Sequence, residues 1–261
     1  MHTHSEVSHD SVCKIEDMLL AQRAKGVRIF AVTDHCDTLL HSEMDIYTPI
    51  VQAANEVKRL RALYPDMKLL TGVEMGDGFL FPDVSQKVLS LCDYDVVIAS
   101  THFITLDGYN TSFADVDFSV VSMDTIKRYL FAYFEDLLKT VETVEGDILP
   151  HIDYPFRYIT EKYHRDVQIL DFLPQIEAIF FGMIQRDMAL EVNTAHPKGI
   201  ISDLLERYYA MGGRLITLGS DAHTPQNAAV RFTDAVAILC NIGFKELYYF
   251  EKRQPHALSL R

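Results

Sequence analysis

The sequence predicts a single α/β domain folded as a TIM-type barrel. Its 261 residues, 48% of them apolar, suffice to fill one large core. Short apolar runs typical of strands alternate with helical patterns along the whole chain, and no linker or repeat divides it. An open doubly wound sheet is the alternative, although no predicted strand is followed by a glycine-rich dinucleotide-binding or phosphate-binding loop.

The predicted strands are near-continuous apolar runs, as expected for strands covered on both faces in a parallel sheet. They span residues 28–33, 68–73, 95–101, 147–151, 188–193, 215–220 and 246–250. Apolar residues at helical spacing predict helices between them. The helices span residues 11–25, 46–64, 84–92, 122–143, 172–183, 201–211 and 232–242. Gly26, Gly212 and Gly243 follow predicted helices, where C-terminal caps are expected.

Acidic residues outnumber basic ones, 37 against 24, which gives a net charge of −13. We therefore expect no long nucleic-acid partner, which would need a basic surface, and no docking on an anionic membrane. No apolar run approaches the ~20 residues of a membrane span, and residues 1–11 lack the pattern of a signal peptide. The four cysteines form no CxxC pair and favour a cytoplasmic location. The sequence does not define an oligomeric state.

Histidine or acidic residues end or follow six of the predicted strands, the position where barrel enzymes place their catalytic groups. Singly, such an Asp can cap the next helix, and such a His can be a hydrogen-bonded loop residue. With the histidines near the start of the chain, they form one set of potential metal ligands. The set is His2, His4, His9, His35, Glu74, His102, His151, Asp221 and His223. Because a catalytic zinc takes three or four protein ligands, this set predicts a cluster of two or three ions.

Six short motifs, in this order, carry a resemblance to a known family. They are HTHSEVSH, VTDH, GVE, STHF, HIDY and GSDAH. The set resembles the metal-site motifs of the PHP (polymerase and histidinol phosphatase) superfamily. More narrowly, THFITLDG, HIDYPFRY, LEVNT, LITLGSDAHTP and GFKELYYFEKRQP resemble its histidinol-phosphate phosphatase branch. The resemblance implies one PHP domain over residues 1–261, folded as a distorted (β/α)7 barrel. One departure is that Met1 alone precedes HTH, where the family has a strand.

The resemblance also assigns the ligands to three divalent ions. One ion would be held by His2, His4, Glu74 and Asp221. Glu74 would bridge to a second ion on His102 and His151, and a third would lie among His9, His35 and His223. Glu74, Asp221 and His223 would form the catalytic part of this site. Imidazole and carboxylate ligands suit zinc, iron or manganese.

The activity implied is that of a metal-dependent phosphomonoesterase acting on a small phosphorylated substrate. We expect hydrolysis of L-histidinol phosphate to L-histidinol and phosphate, with a hydroxide that bridges the ions as the nucleophile. Two other readings remain open. One is a PHP phosphoesterase acting on nucleotides, short oligonucleotides or phosphotyrosine protein, and the other is a PHP module whose metal site is structural or regulatory.

Residues near the strand ends are candidates for binding the substrate or supporting the ligands. Arg157 and Lys198 offer cationic donors for phosphate, and Arg231 is a third candidate. Asp37 is a candidate for the ammonium and imidazole end of histidinol. Asp34 and Asp153 are expected to orient ligand histidines from behind. The histidines that match no ligand position are expected to be surface or hydrogen-bonded residues. They are His41, His164, His196 and His256.

Overall fold

The computed structural model describes residues 1–196 and 200–260. Seven of the helices among these residues agree with the predicted ones to within a few residues, and one short helix, Tyr154–Phe156, was not predicted. The helices are α1 (Ile15–Ala24), α2 (Thr48–Leu63), α3 (Pro82–Leu89), α4 (Met123–Thr143), α5 (Tyr154–Phe156), α6 (Leu173–Gln185), α7 (Ser202–Ala210) and α8 (Phe232–Ile242). A π-helical turn, Arg157–Lys162, directly follows the short α5. None of the described helices is long and apolar enough to span a membrane.

The strands form one parallel sheet and two antiparallel hairpins. They are β1 (Ile29–Val32), β2 (His35–Asp37), β3 (Lys68–Gly76), β4 (Val96–Ser100), β5 (Phe103–Leu106), β6 (Tyr109–Ser112), β7 (Ile148–Leu149), β8 (Ala189–Asn193), β9 (Ile216–Gly219), β10 (Glu246–Glu251) and β11 (Gln254–Ser259). The parallel order is β1-β3-β4-β7-β8-β9, and β2 also pairs with β3. Six of the predicted strands therefore lie side by side, with their carboxyl ends at one rim.

The expected closed (β/α)7 barrel is wrong in one respect, because the parallel sheet is a curled half-barrel. The seventh predicted strand became β10, which pairs antiparallel with β11 instead of joining this sheet. Between them, Lys252 and Arg253 both adopt positive φ and reverse the chain. Phe250 is the one buried residue of β10, so this strand lacks the two covered faces of a parallel-sheet strand.

The first residues of the chain lie between β1 and β9. The backbone of Thr3 accepts a hydrogen bond from the Thr33 amide at 2.9 Å, and His4 N donates to Ala222 O at 3.0 Å. The Asp221 amide likewise donates to the carbonyl of His2. Because alternate side chains of an extended segment point the same way, His2 and His4 share one side while Thr3 bonds to β1. This segment brings two predicted ligands to the rim.

The turn between β10 and β11 attaches this hairpin to the opposite rim of the sheet. Lys252 N donates to Asp95 Oδ1 at 3.1 Å, and Arg253 Nε donates to Asp147 Oδ2. The buried Asp147 carboxylate also accepts from the amide of Val97 at 2.7 Å. Arg253 therefore neutralises a carboxylate that two neighbouring strands share.

Arg253→Ala is expected to lower the free energy of unfolding by about 1–3 kcal/mol, because it leaves the buried Asp147 carboxylate without its charged donor. Urea denaturation followed by circular dichroism measures this loss. Lys252→Ala is the matched control, since it changes a neighbouring positive-φ residue whose side chain is exposed. Equal stability of the two variants would show that the Arg253–Asp147 contact contributes nothing.

Candidate metal centre

Glu74, in the last part of β3, lies at the centre of the histidine cluster. Its side chain is fully buried, and imidazole nitrogens surround both carboxylate oxygens at 2.8–3.5 Å. They belong to His2, His4, His35, His102 and His151. Burial raises the pKa of Glu74, but the nearby imidazoles of His2, His35 and His102 outweigh it and hold the pKa well below its usual range. The carboxylate is therefore ionised and able to act as a ligand on two sides.

One ligand group lies on the Oε2 side of Glu74. The Nε2 atoms of His2 and His4 are 3.0 Å apart, and they lie 3.2 and 3.5 Å from Glu74 Oε2. Asp221 Oδ1 lies 3.6 Å from His2 Nε2 and 3.1 Å from His4 Nε2. A tetrahedral ion with ligands at ~2.0–2.2 Å has ligand–ligand edges of about 3.3–3.6 Å. These five distances, 3.0–3.6 Å, are close to the edges of a single tetrahedral site.

A second group lies on the Oε1 side. Glu74 Oε1 is 3.2 Å from His102 Nε2 and 3.0 Å from His151 Nε2. His102 follows β4, and His151 follows β7 with a backbone φ of +22°. A residue other than glycine rarely adopts such a φ, and strain of this kind concentrates at functional sites. The two imidazoles and Oε1 thus form a second ligand set that shares Glu74 with the first.

A third group lies nearer the solvent and differs from the predicted one. His35 Nε2 and His223 Nε2 lie 3.6 and 3.1 Å from Asp10 Oδ2, so the carboxylate of Asp10 joins the two histidines. His9 is exposed, and its ring centroid is 5.4 Å from that of His35. Among the described residues, His35 and His223 converge with His4 in one group of ligand atoms, whereas neither His9 nor Asp10 belongs to such a group. Asp10 was not among the ligands predicted from the sequence, although the adjacent His9 was.

The geometry of two of these contacts fits bound cations better than hydrogen bonds. His35 Nδ1 and Glu74 Oε2 are 2.8 Å apart, yet within the described part of the chain both are buried atoms without a hydrogen-bond partner. His223 Nε2 is likewise a buried atom without a hydrogen-bond partner in the described part of the chain, although Asp10 Oδ2 is 3.1 Å away. Atoms that approach one another without donor–acceptor alignment are arranged as ligands around a common centre. The side chains present therefore fit a cluster of divalent ions.

Carboxylates behind the histidines hold two of the rings in place. Glu191 Oε1 lies 2.9 Å from His2 Nδ1, and Asp37 Oδ1 lies 2.8 Å from His102 Nδ1. In both rings Nε2 is thereby directed at Glu74, as in the carboxylate–histidine–metal arrangement. A Cβ at Gly219 would lie 1.8 Å from Glu191 Oε1, and one at Gly76 would lie 2.0 Å from Asp37 Oδ1. Glycine at these strand ends makes room for both pairs.

These contacts change the role expected for Asp37 and agree with the one expected for Asp34. Asp37, a candidate for the substrate ammonium, is buried and paired with His102, so it acts as a positioning residue. Asp34 binds Ser5 and Ser8, and Ser8 Oγ is 3.0 Å from His4 Nδ1, so Asp34 supports that ring through Ser8.

Asp153 is buried, and it has no hydrogen bond to a ligand histidine among the contacts that the structure describes. Burial raises the pKa of Asp153 to about 6 despite the opposing charge of Arg157. The expected role in orienting a histidine therefore has no contact to support it. A carboxylate in β8, that of Glu191, instead orients the ring of His2.

A cavity of about 560 Å³, the site cavity, adjoins the ligand groups. Arg157 lines it and donates from Nη1 to Asp221 Oδ2 at 3.0 Å. The other guanidinium nitrogens, Nε and Nη2, are buried without a partner among the described residues. Arg231 instead donates to the backbone carbonyl of His196 and is not among the residues found to line the cavity. Lys198 lies outside the described residues.

Residues 1–195 match the family model described as PHP domain. The chain belongs to this family. A probable histidinol-phosphatase of Clostridium acetobutylicum is 27% identical over 260 residues, which cover 97% of this chain and 96% of that protein. The histidinol-phosphatase of Lactococcus lactis is 28% identical over 258 residues, which cover 95% of this chain and 93% of that protein.

A solved structure supports the same family relationship. It is the histidinol phosphate phosphatase (HISK) of Lactococcus lactis, complexed with zinc, L-histidinol and phosphate. The two structures agree with a TM-score of 0.80 at 26% identity, covering 98% of this chain and 97% of that chain. The PHP fold therefore extends beyond the residues that the family model matches.

Glu191→Gln is expected to weaken metal binding at the PHP centre by about 10–100-fold, because the amide keeps the size of the side chain but loses the charge that orients His2. Competition with a chromophoric chelator measures the affinity. Glu135→Gln, an exposed carboxylate on α4, is the matched control. An unchanged affinity in the Glu191 variant would contradict the positioning role.

Metal binding is expected to release protons, so that affinity falls as the pH is lowered. Burial lowers the pKa of His35, but the Glu74 and Asp10 carboxylates outweigh it and raise the pKa to about 10 in the protein without ions. An imidazolium cannot ligate, so each released proton should change the affinity by about tenfold per pH unit below that value. Calorimetric titration in buffers of different ionisation enthalpy counts these protons. Identical heats in all buffers would exclude proton release.

Proposed function

We propose that this PHP protein is a metal-dependent phosphomonoesterase that hydrolyses L-histidinol phosphate to L-histidinol and phosphate. One observation carries the proposal: the buried carboxylate of Glu74 lies between two groups of imidazoles, beside a cavity lined by Arg157, whose Nε and Nη2 have no partner among the described residues. Full-length relatives named histidinol-phosphatase, and the Lactococcus lactis structure with zinc, L-histidinol and phosphate, support this choice of substrate.

Two to three divalent ions, zinc, iron or manganese, would occupy the centre. The first would be held by His2, His4, Glu74 and Asp221, and the second by Glu74, His102 and His151. The third would be held by His35, His223 and Asp10, with His9 beside them at the cavity. When bound, such ions make water a stronger nucleophile at neutral pH and neutralise phosphoryl oxygens.

Arg157 is the residue we assign to the substrate phosphate. Its Nη1 donates to Asp221 Oδ2, which fixes the guanidinium next to the first ligand group. Nε and Nη2 remain for two phosphate oxygens, in the paired geometry that guanidinium groups favour. Because Asp221 Oδ1 faces His2 and His4, the phosphate would be bound against the same carboxylate that binds an ion.

The rest of the substrate would lie along the aromatic side of the site cavity. Phe103, Tyr154 and Tyr158 line this side, and the hydroxyl groups of the two tyrosines are 3.4 Å apart. Aromatic faces suit both the imidazole ring and the ammonium group of histidinol.

The four cysteines are all free thiols, which agrees with the proposed cytoplasmic location.

Steady-state kinetics on a panel of phosphate monoesters tests the substrate. The purified, metal-loaded protein is assayed with L-histidinol phosphate, nucleoside monophosphates, short oligonucleotides, phosphotyrosine peptide and p-nitrophenyl phosphate. The expected result is the highest kcat/KM for L-histidinol phosphate. A kcat/KM no higher than that for the nucleotides or p-nitrophenyl phosphate would overturn the substrate assignment but leave a PHP phosphoesterase.

Arg157→Ala is expected to lower kcat/KM by about 10²-fold or more, because the transferring phosphoryl group loses two charged donors. The loss should appear with every monoester, since all share the phosphate. Arg128→Lys is the control, because that exposed guanidinium pairs with Asp107. Measured metal content should stay at the wild-type level in both variants, and a loss restricted to one substrate would argue against phosphate binding by Arg157.

A further inference from the structure

His196 is a histidine of the site cavity that the metal-ligand groups do not use. It lies in the loop after β8 and lines the cavity together with Arg157 and Tyr158. Two contacts hold this part of the loop. Ala195 N donates to Asn193 Oδ1 at 3.0 Å, and Arg231 Nη1 donates to the carbonyl oxygen of His196. The ring is thus placed by a supported backbone at the edge of the site.

A carboxylate orients this ring. His196 Nδ1 lies 3.0 Å from Glu161 Oε2, so the Nδ1 proton is donated to Glu161 and Nε2 is the nitrogen available to a molecule in the cavity. Glu161 belongs to the same π-helical turn as Arg157 and follows it by four residues. Arg157 and His196 line the same cavity, so the proposed phosphate site and this dyad border one space. Asp153 and Arg231 are the other charged groups beside the ring and its backbone.

The proposed reaction needs a proton donor that the ligand groups do not supply. Breaking the phosphate ester of a primary alcohol leaves a strongly basic alkoxide, and a positioned acid typically accelerates such a step by about 10²–10⁴-fold. Burial raises the pKa of the cavity-lining Tyr154 well above its usual range, which makes that hydroxyl a poor donor. His9 is also outside the ligand groups, but its ring lies next to that of the proposed ligand His35, with the ring centroids 5.4 Å apart. Of the two described cavity histidines outside the ligand groups, His9 and His196, it is His196 whose ring is hydrogen-bonded to a carboxylate.

We propose that His196, oriented by Glu161, is the general acid that protonates the leaving alcohol, an inference that rests on the phosphomonoesterase function above. The oxygen of the attacking water forms a bond to phosphorus as the bond from phosphorus to the alcohol oxygen breaks. The electron pair of the broken bond stays on the alcohol oxygen and takes the proton from His196 Nε2. The proton of the attacking water passes to solvent, and His196 regains a proton from solvent.

Leaving-group dependence tests this role. In His196→Asn, kcat/KM for L-histidinol phosphate and for phenyl phosphate should fall by about 10²–10⁴-fold. With 2,4-dinitrophenyl phosphate the loss should be small, because that leaving group needs no proton. Across a series of aryl phosphates, the dependence of log kcat/KM on the pKa of the leaving phenol should become steeper in the variant. Glu161→Gln should shift the slope in the same direction by a smaller amount.

Three controls separate this role from a structural one. Metal content by mass spectrometry and the affinity for inorganic phosphate by calorimetry should match wild type in His196→Asn. His164→Asn changes a nearby histidine outside the site cavity and should leave the slope unchanged. His196→Gln repeats the measurement in case the Asn variant does not fold.

Two results would overturn the general-acid role: equal losses for all leaving groups, or no loss with the phosphates of weakly acidic alcohols. A wild-type preference for another alkyl phosphate would overturn only the proposed substrate. The aryl series would still test His196 in that case, because it does not depend on the natural substrate.

Discussion

The burial of one carboxylate, Glu74, is the constraint on which the rest of the site depends. A charged group without solvent is stable only when opposite charge and hydrogen-bond donors surround it. Here five imidazoles surround the two oxygens, and they come from the N-terminal segment, from β2 and from the loops after β4 and β7. Divalent ions between Glu74 and these rings would supply the missing charge. The half-barrel thus serves to bring four separate chain segments within 3.5 Å of one side chain.

The carboxylates behind the histidines fix the orientation of two of the rings that surround Glu74. Glu191 and Asp37 each hold one ring by its Nδ1, so that Nε2 faces Glu74. Both reach their rings past a glycine at a strand end, where a methyl group would collide with the carboxylate. Because rigid strands carry these groups, ligand positions are set before an ion binds. Arg157 then couples the ion site to the proposed phosphate site through Asp221.

Much of this arrangement was predictable, since it depends on residue type and strand periodicity. The six parallel strands and all the longer helices appear near their predicted positions, because apolar runs and helical spacing report burial directly. The seventh strand was predicted at the right residues but expected in the wrong sheet, because an apolar run does not reveal whether its partner is parallel or antiparallel. Asp10 and Glu191 were not assigned as site residues. Asp10 lies beside a histidine in a loop of irregular backbone. Glu191 belongs to the pattern of acidic residues at strand ends, but that pattern does not distinguish a carboxylate that binds an ion from one that holds a histidine ring from behind.

The identity and order of the candidate ligands are properties of the chain, because histidine and carboxylate residues after parallel strands must meet at one rim whatever the loops do. The pairing of individual atoms is decided only by the folded structure. Whether Asp10 or His9 approaches His223, and whether Asp37 faces a substrate or His102, depends on loop paths and on the curl of the sheet. Those are set by contacts between residues far apart in sequence.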